Sequence, residues 1–112
     1  MDPRETAPKP VDFRSLELAA LNSHIEKGRA TILTTPREYE ILPVSLNKLA
    51  VQLSRRFQLT GDAKDLEDAI TFLNTCLQIG PLDHVERAKW LNNRKLQSHY
   101  RYSEWPEFPF RP

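Results

Sequence analysis

Apolar side chains recur with a helical period through the middle of the chain. Leu18, Leu21, Ile25, Gly28 and Ile32 follow alternating steps of three and four, the spacing of one helical stripe. With Ser15 as N-cap, this predicts a helix over 15–33. Leu46, Leu49, Leu53 and Phe57 form a second stripe behind Pro43, whose fixed φ suits a first helical turn, and predict a helix over 43–59. The segment Glu38 to Leu42 stays open between one extra turn and a loop, because proline disfavours helical geometry in the residue before it. Leu66, Ala69, Ile70, Leu73, Cys76 and Leu77 mark a third helix over 63–79, stopped by Gly80-Pro81. Thr60-Gly61-Asp62 is a tight connection, in which glycine takes the left-handed geometry that ends one helix and Asp62 caps the next. Asp83 followed by Glu86 resembles a capping box and opens a last helix over 84–102. No strand pattern occurs. The expectation is an all-α fold of antiparallel αα-hairpins with about four helices.

Six of the nine prolines lie near the two ends, where a missing donor and a fixed φ oppose regular helix. The chain therefore divides into a flexible N-terminal arm over 1–14, a helical domain over 15–102 and a proline- and aromatic-rich tail over 103–112. At 112 residues there is room for one modest core.

A fixed shift of the chain against itself carries the most information, since stacked repeats betray themselves by their period. Leu46-Asn47 reappears as Leu91-Asn92, Pro36 as Pro81, Ile25 as Ile70 and Ile32 as Leu77, each 45 residues on. The proline and the Leu-Asn pair carry most of the weight. The order is then the second helix of one repeat, one complete pair, and the first helix of a third.

From Leu46 to Trp90, Leu-Asn-Lys-Leu-Ala, Leu-Ser-Arg-Arg-Phe, Thr-Gly-Asp, Asp-Leu-Glu-Asp-Ala-Ile and Asp-His-Val-Glu-Arg-Ala-Lys-Trp-Leu-Asn-Asn resemble the long tetratricopeptide-type repeats of fungal proteins that often precede a caspase-like CHAT domain. The resemblance spans about 16–93 and is specific across 45–93. It implies a solenoid fragment that holds another protein, truncated and without its CHAT domain. Ala69, Leu73, Cys76 and Pro81 stand at the family's second-helix small, large, small and terminating positions, and Leu46, Leu49, Ala50 and Leu53 suit its first-helix positions. Those two sets lie seven residues farther apart than in the 34-residue repeat, about two extra helical turns. Two departures stand out. The shift of 45 places Arg94 and Lys95 where Leu49 and Ala50 face a hairpin core, a costly exchange unless the charges reach water or the register slips near 94. After Tyr102 the family's Thr-Gly-Asp turn is replaced by Ser-Glu-Trp-Pro-Glu-Phe-Pro-Phe-Arg-Pro.

Composition adds constraints rather than a function. A formal net charge of +1 does not call for nucleic acid or an anionic membrane. The single cysteine, Cys76, supports no internal disulfide and fits a reduced, cytoplasmic protein. No stretch approaches the roughly 20 apolar residues of a membrane span.

No catalytic, cofactor or metal constellation is expected. Cys76 falls in the small-residue register of a hairpin stripe, where a thiol behaves as a small hydrophobe. His24, His84 and His99 are widely separated, and the glycines form no phosphate loop. The acidic group Asp62, Asp65, Glu67 and Asp68 opens a helix, where negative charge complements the macrodipole. The first functional expectation is a non-catalytic protein-binding scaffold, with Asn47, Gln52, Arg56, Asn92 and Asn93 as groove residues. Asn47 and Asn92 recur at the repeat period, and bonding to a neighbouring helix or loop is their alternative role. The tail aromatics Trp105, Phe108 and Phe110 would fold back over the open end or dock on a partner. Open repeat ends also raise self-association, since about three repeats are usually needed for a continuous core. The rival is nucleic-acid binding through the basic helix 84–102, with Arg55, Arg56, Arg87, Lys89, Arg94, Lys95 and Arg101 interleaved with Trp90, Tyr100 and Tyr102. A truncated product without selected activity is the remaining alternative.

Overall fold

The computed structural model describes the backbone of residues 12–107 and the side chains of 12–101. Four helices follow one another: α1 (Phe13–Thr34), α2 (Ile41–Thr60), α3 (Ala63–Ile79) and α4 (Arg87–Glu107). No strand occurs among the described residues. Each helix runs antiparallel to the one before. Arg14 at the start of α1 reaches Leu59 at the end of α2, Arg56 late in α2 meets Asp65 early in α3, and Arg87 at the start of α4 meets Leu77 at the end of α3.

The first helix opens earlier than Ser15. Asp12 is the N-cap, its Oδ1 accepting from the backbone N–H of Arg14 at 3.1 Å and of Ser15 at 3.2 Å. Ser15 donates its hydroxyl to Asp12 Oδ2 at 2.8 Å, so it serves the cap instead of forming it. These bonds from Ser15 hold the Asp12 carboxyl below its usual range. The uncertain segment before Pro43 resolves into a turn and an early start at Ile41. Pro43 still lies in the first turn, where a missing N–H costs nothing. Gly61 ends α2 at φ 75°, its N–H bonded to Phe57 O at 2.7 Å, and Asp62 caps α3 by accepting from Lys64 N–H at 3.0 Å.

The last helix departs from expectation at both ends. Asp83 and Glu86 do not form a capping box. Residues 82–83 and 85–86 are turns, α4 begins at Arg87, and the side-chain acceptor there is His84, whose Nδ1 takes the Glu86 N–H at 3.0 Å. At the far end the backbone stays helical to Glu107. Ser103, Glu104 and Trp105 contain no breaker, and Pro106 falls in the final turn, where it removes one donor. The first helix thus starts at Phe13 and the last ends at Glu107. The side chain of Trp105, and Phe108 and Phe110 altogether, lie outside the described residues.

The expected period is written in backbone hydrogen bonds. Tyr39 N–H donates to Pro36 O and His84 N–H to Pro81 O, both at 3.1 Å. The helix starts repeat as well, Leu42 N–H to Tyr39 O at 3.1 Å and Arg87 N–H to His84 O at 3.0 Å. Each of these positions is related to its counterpart by 45 residues, so α1–α2 and α3–α4 are two versions of one connection.

The core lies on both flanks of α2. Leu21 and Ile25 of α1, Leu49, Ala50 and Leu53 of α2, and Ala69 and Leu73 of α3 form one cluster. Leu42, Leu46, Cys76, Leu77 and Trp90 form a second, and Phe57, Leu66 and Ile70 with Tyr100 a third. Trp90 is 0 % exposed and fits because position 80 is glycine. A Cβ there would sit 2.5 Å from Trp90 Cζ3 and 2.8 Å from Cys76 O. Close approach, and not a left-handed φ, fixes Gly80, which has φ −72°. Arg94 and Lys95 bear no core burden. No helix covers that side of α4 among the described residues, Lys95 is exposed, and Arg94 reaches Asn74 Oδ1 at 3.4 Å.

Trp90→Ala is expected to lower the free energy of unfolding by about 3–5 kcal/mol, the range for deleting a buried large aromatic. Gly80→Ala is expected to cost about 1–3 kcal/mol by overpacking the same place. Equilibrium urea unfolding of both variants checks the two values.

Candidate functional site

A concave site lies between α1 and α2. His24, Lys27 and Thr31 on α1 face Ser45, Lys48 and Gln52 on α2 across a cleft of about 210 Å³. Gly28 and Leu49 form its floor, and a Cβ on Gly28 would come 3.2 Å from Leu49 Cδ1. The close approach of the two helices at Gly28 thus sets the depth. The polar rim combines two ammonium groups, an imidazole, two hydroxyls and an amide, and no carboxylate lines it. Such a set donates hydrogen bonds to anionic groups and offers no activated nucleophile.

The groove residues expected from sequence do not form one surface. Gln52 lines the cleft. Asn47 is buried, and its Oδ1 accepts from Asn93 Nδ2 at 2.8 Å, tying α2 to α4. Asn92 is exposed on α4. Arg56 grips the buried Asp65 carboxylate with two bonds of 2.7 Å, and its third nitrogen donates to Asn22 Oδ1 at 2.9 Å. One guanidinium therefore joins α1, α2 and α3. The hydrogen bonds to Asp65 raise the Arg56 pKa. Sequence reasoning missed His24, Lys27 and Lys48 as a set, because they are polar residues scattered over two helices.

The remaining chemical candidates are absorbed by the architecture. Asp62 is a cap, Asp68 meets Arg29 at 3.0 Å and Lys64 at 2.8 Å, and Glu67 meets Arg101 at 3.2 Å. Burial opposes ionisation of Asp68, but the bonds from Lys64 and Arg29 together leave its carboxyl below the usual range. Cys76 is buried, donates its thiol to Pro43 O at 3.2 Å, and is pushed up to about 12 by burial, against a smaller lowering by Arg87. His84 lies tilted against Trp90 with ring centroids 4.6 Å apart. Among the described residues no group of three His, Cys, Asp or Glu side chains is placed to hold a metal. No described helix is long and apolar enough to cross a membrane.

The aromatic and basic residues of the rival surface are largely engaged. Trp90 has no exposed face, and the Tyr100 ring packs on Phe57, Leu66 and Ile70 with its hydroxyl accepting from Gln58 at 3.1 Å. Arg55 clasps Glu17, with Nη2 2.8 Å from Oε1. Arg87 donates to the carbonyls of Leu77 at 3.2 Å and Gly80 at 3.3 Å.

Removing Arg56 strands a carboxylate that is 4 % exposed. Arg56→Ala is expected to cost about 3–5 kcal/mol, as for a broken buried pair, and Arg56→Lys to recover only part of it, since an ammonium lacks the two-pronged fork. Thermal and urea unfolding check both. The Cys76 thiol gives a pH signature. Unfolded thiols ionise near about 8.5, so between there and about 12 the unfolded chain binds fewer protons than the native one, and stability falls as pH rises. Melts from pH 8 to 10, with native thiol labelling limited by the rate of opening, check this. No family model matches the chain, and no curated protein or solved structure matches it either.

Proposed function

We propose that this chain is a non-catalytic, tetratricopeptide-like scaffold of the long fungal type, working in the cytoplasm to hold another protein. The observation that carries the reading is the pair of equivalent inter-helix connections, Tyr39 N–H to Pro36 O and His84 N–H to Pro81 O. Each joins the second helix of one repeat to the first helix of the next, in the order that the resemblance implies. Stacked helical repeats build extended surfaces for partners instead of enclosed active sites. The polar cleft between α1 and α2 suits that use, because its Thr31 hydroxyl donates to the Lys27 carbonyl and not to the His24 imidazole.

Nucleic-acid binding remains the rival of a different class. Its weakness is specific: base stacking needs exposed aromatic faces, and Trp90 is spent in the core while the Tyr100 ring packs, partly buried, against Phe57, Leu66 and Ile70.

One experiment separates the two readings. The full chain is immobilised, nuclease-treated lysate is passed over it, and a single-stranded oligonucleotide is titrated in parallel at low and moderate salt. A protein retained stoichiometrically after nuclease treatment, with no oligonucleotide binding, is the expected result. Oligonucleotide binding whose affinity drops by orders of magnitude between about 50 and 200 mM salt, with no retained protein, would overturn the scaffold reading.

A further inference from the structure

The internal repeat identifies what the cleft between α1 and α2 is shaped to receive. On one side of the stack, α3 and α4 together embrace α2. From α3, Ala69 and Leu73 pack with Leu49, Ala50 and Leu53, Cys76 packs with Leu42 and Leu46, and Phe72 lies against both clusters. From α4, Trp90 packs with Leu42 and Leu46, Asn93 bonds Asn47, and Gln97 accepts from Ser54 Oγ. Moving each of these positions back by 45 residues gives the lining of the cleft. Ala69, Phe72, Leu73 and Cys76 become His24, Lys27, Gly28 and Thr31. Trp90, Asn93 and Gln97 become Ser45, Lys48 and Gln52, and Arg94, the last lining position, becomes the floor residue Leu49. The cleft is therefore the repeat-equivalent of the seat in which α2 lies.

The seat has been rebuilt chemically. Leu73 and Trp90, which fill the second seat, are replaced by Gly28 and Ser45, leaving a concavity of about 210 Å³ where a merely solvated end of a repeat stack needs only a polar face. Phe72 and Asn93 are replaced by Lys27 and Lys48, both exposed, and Ala69 by His24. An apolar helix would leave these ammonium groups without partners, whereas a helix carrying carboxylates pairs with them. A second copy of this chain fits poorly. Among the described residues the helix in the matching place is α4, which would bring Arg94 and Lys95 against Lys27 and Lys48, a juxtaposition of like charges.

We propose that the groove between α1 and α2 docks an acidic helix of a partner protein, seated as α2 is seated against α3 and α4. This rests on the scaffold reading and names the face and chemistry through which it works. The recognition mode is a helix laid in a groove, with its acidic residues at successive turns facing Lys27 and Lys48. Salt weakens it, because both lysines are solvent-exposed.

The test uses the full chain, a Lys27→Glu/Lys48→Glu double variant, and two fluorescein-labelled helical peptides of identical apolar face, one bearing glutamates and one lysines. Fluorescence anisotropy is expected to show binding of the glutamate peptide, at least about tenfold weaker to the double variant and weaker still in high salt, a tenfold loss being about 1.4 kcal/mol of binding. The lysine peptide is expected to bind the double variant better than the wild type. Circular dichroism melts of the two proteins are expected to coincide, since neither lysine makes a core contact. Equal binding of both peptides, no binding of either, or no effect of the charge reversal overturns the proposal. So does an oligonucleotide that competes for the same two lysines. A natural partner retained equally by wild type and double variant overturns this groove while leaving the scaffold function standing.

Discussion

In a row of stacked helices each one can bury side chains only against its neighbours, and α2 is the helix with neighbours on three sides. Buried residues recur on both flanks along its length, and Ala50 and Leu53 are 0 % exposed. The α2–α3 contact is the most extensive in the molecule, α1 packs mainly on α2, and α4 leans on α3 with a lighter contact to α2. By contrast α1 has only Leu21 and Ile25 among its buried residues. The outer helices depend on the central pair, as expected where stability is a sum of nearest-neighbour terms.

Polar side chains fix the spacing that apolar burial alone leaves loose. The Arg56 fork on Asp65 sets the α2–α3 hairpin and holds Asn22 of α1. Asn47 with Asn93, and Ser54 with Gln97, join the two first-helix equivalents α2 and α4 across the stack. Buried pairs of this sort contribute modestly to stability when satisfied and cost heavily when one partner is lost. They therefore select one register of α4 on α2. The paired change of Thr35 and Ser45 into Gly80 and Trp90, at the same repeat positions, shows how a single unit serves two ends. A large ring over a glycine seals the second seat, and small polar residues leave the first open.

Local signals made the helices legible. Thr60-Gly61-Asp62 read as a helix end, and Gly61 does end α2 at φ 75°, a conformation glycine takes without a Cβ penalty; Pro36 and Pro81 announced the repeat that the loop hydrogen bonds display. What sequence reasoning missed depended on partners far away along the chain. Asp65 read as a macrodipole residue until Arg56 stood beside it. Trp90 read as a stacking surface, although Gly80 had made room to bury it. The start of α4 was displaced because His84 took the Glu86 N–H that a capping box would have given to Asp83. Of the expected groove residues Gln52 alone lies in the cleft. The signal for the rest was present in the repeat itself, since His24, Lys27 and Lys48 stand where the second unit has Ala69, Phe72 and Asn93.

Burial centred on α2 predicts that stability decreases outward from the α2–α3 hairpin. Native-state hydrogen exchange followed residue by residue tests it directly. The expected result is that amides in the middle of α2 and α3 exchange only through global unfolding, while α1 exchanges through a lower-energy opening that leaves the α2–α3 hairpin protected. Protection in α1 equal to that of α2, or an opening that releases α2 while α1 stays closed, would contradict the account.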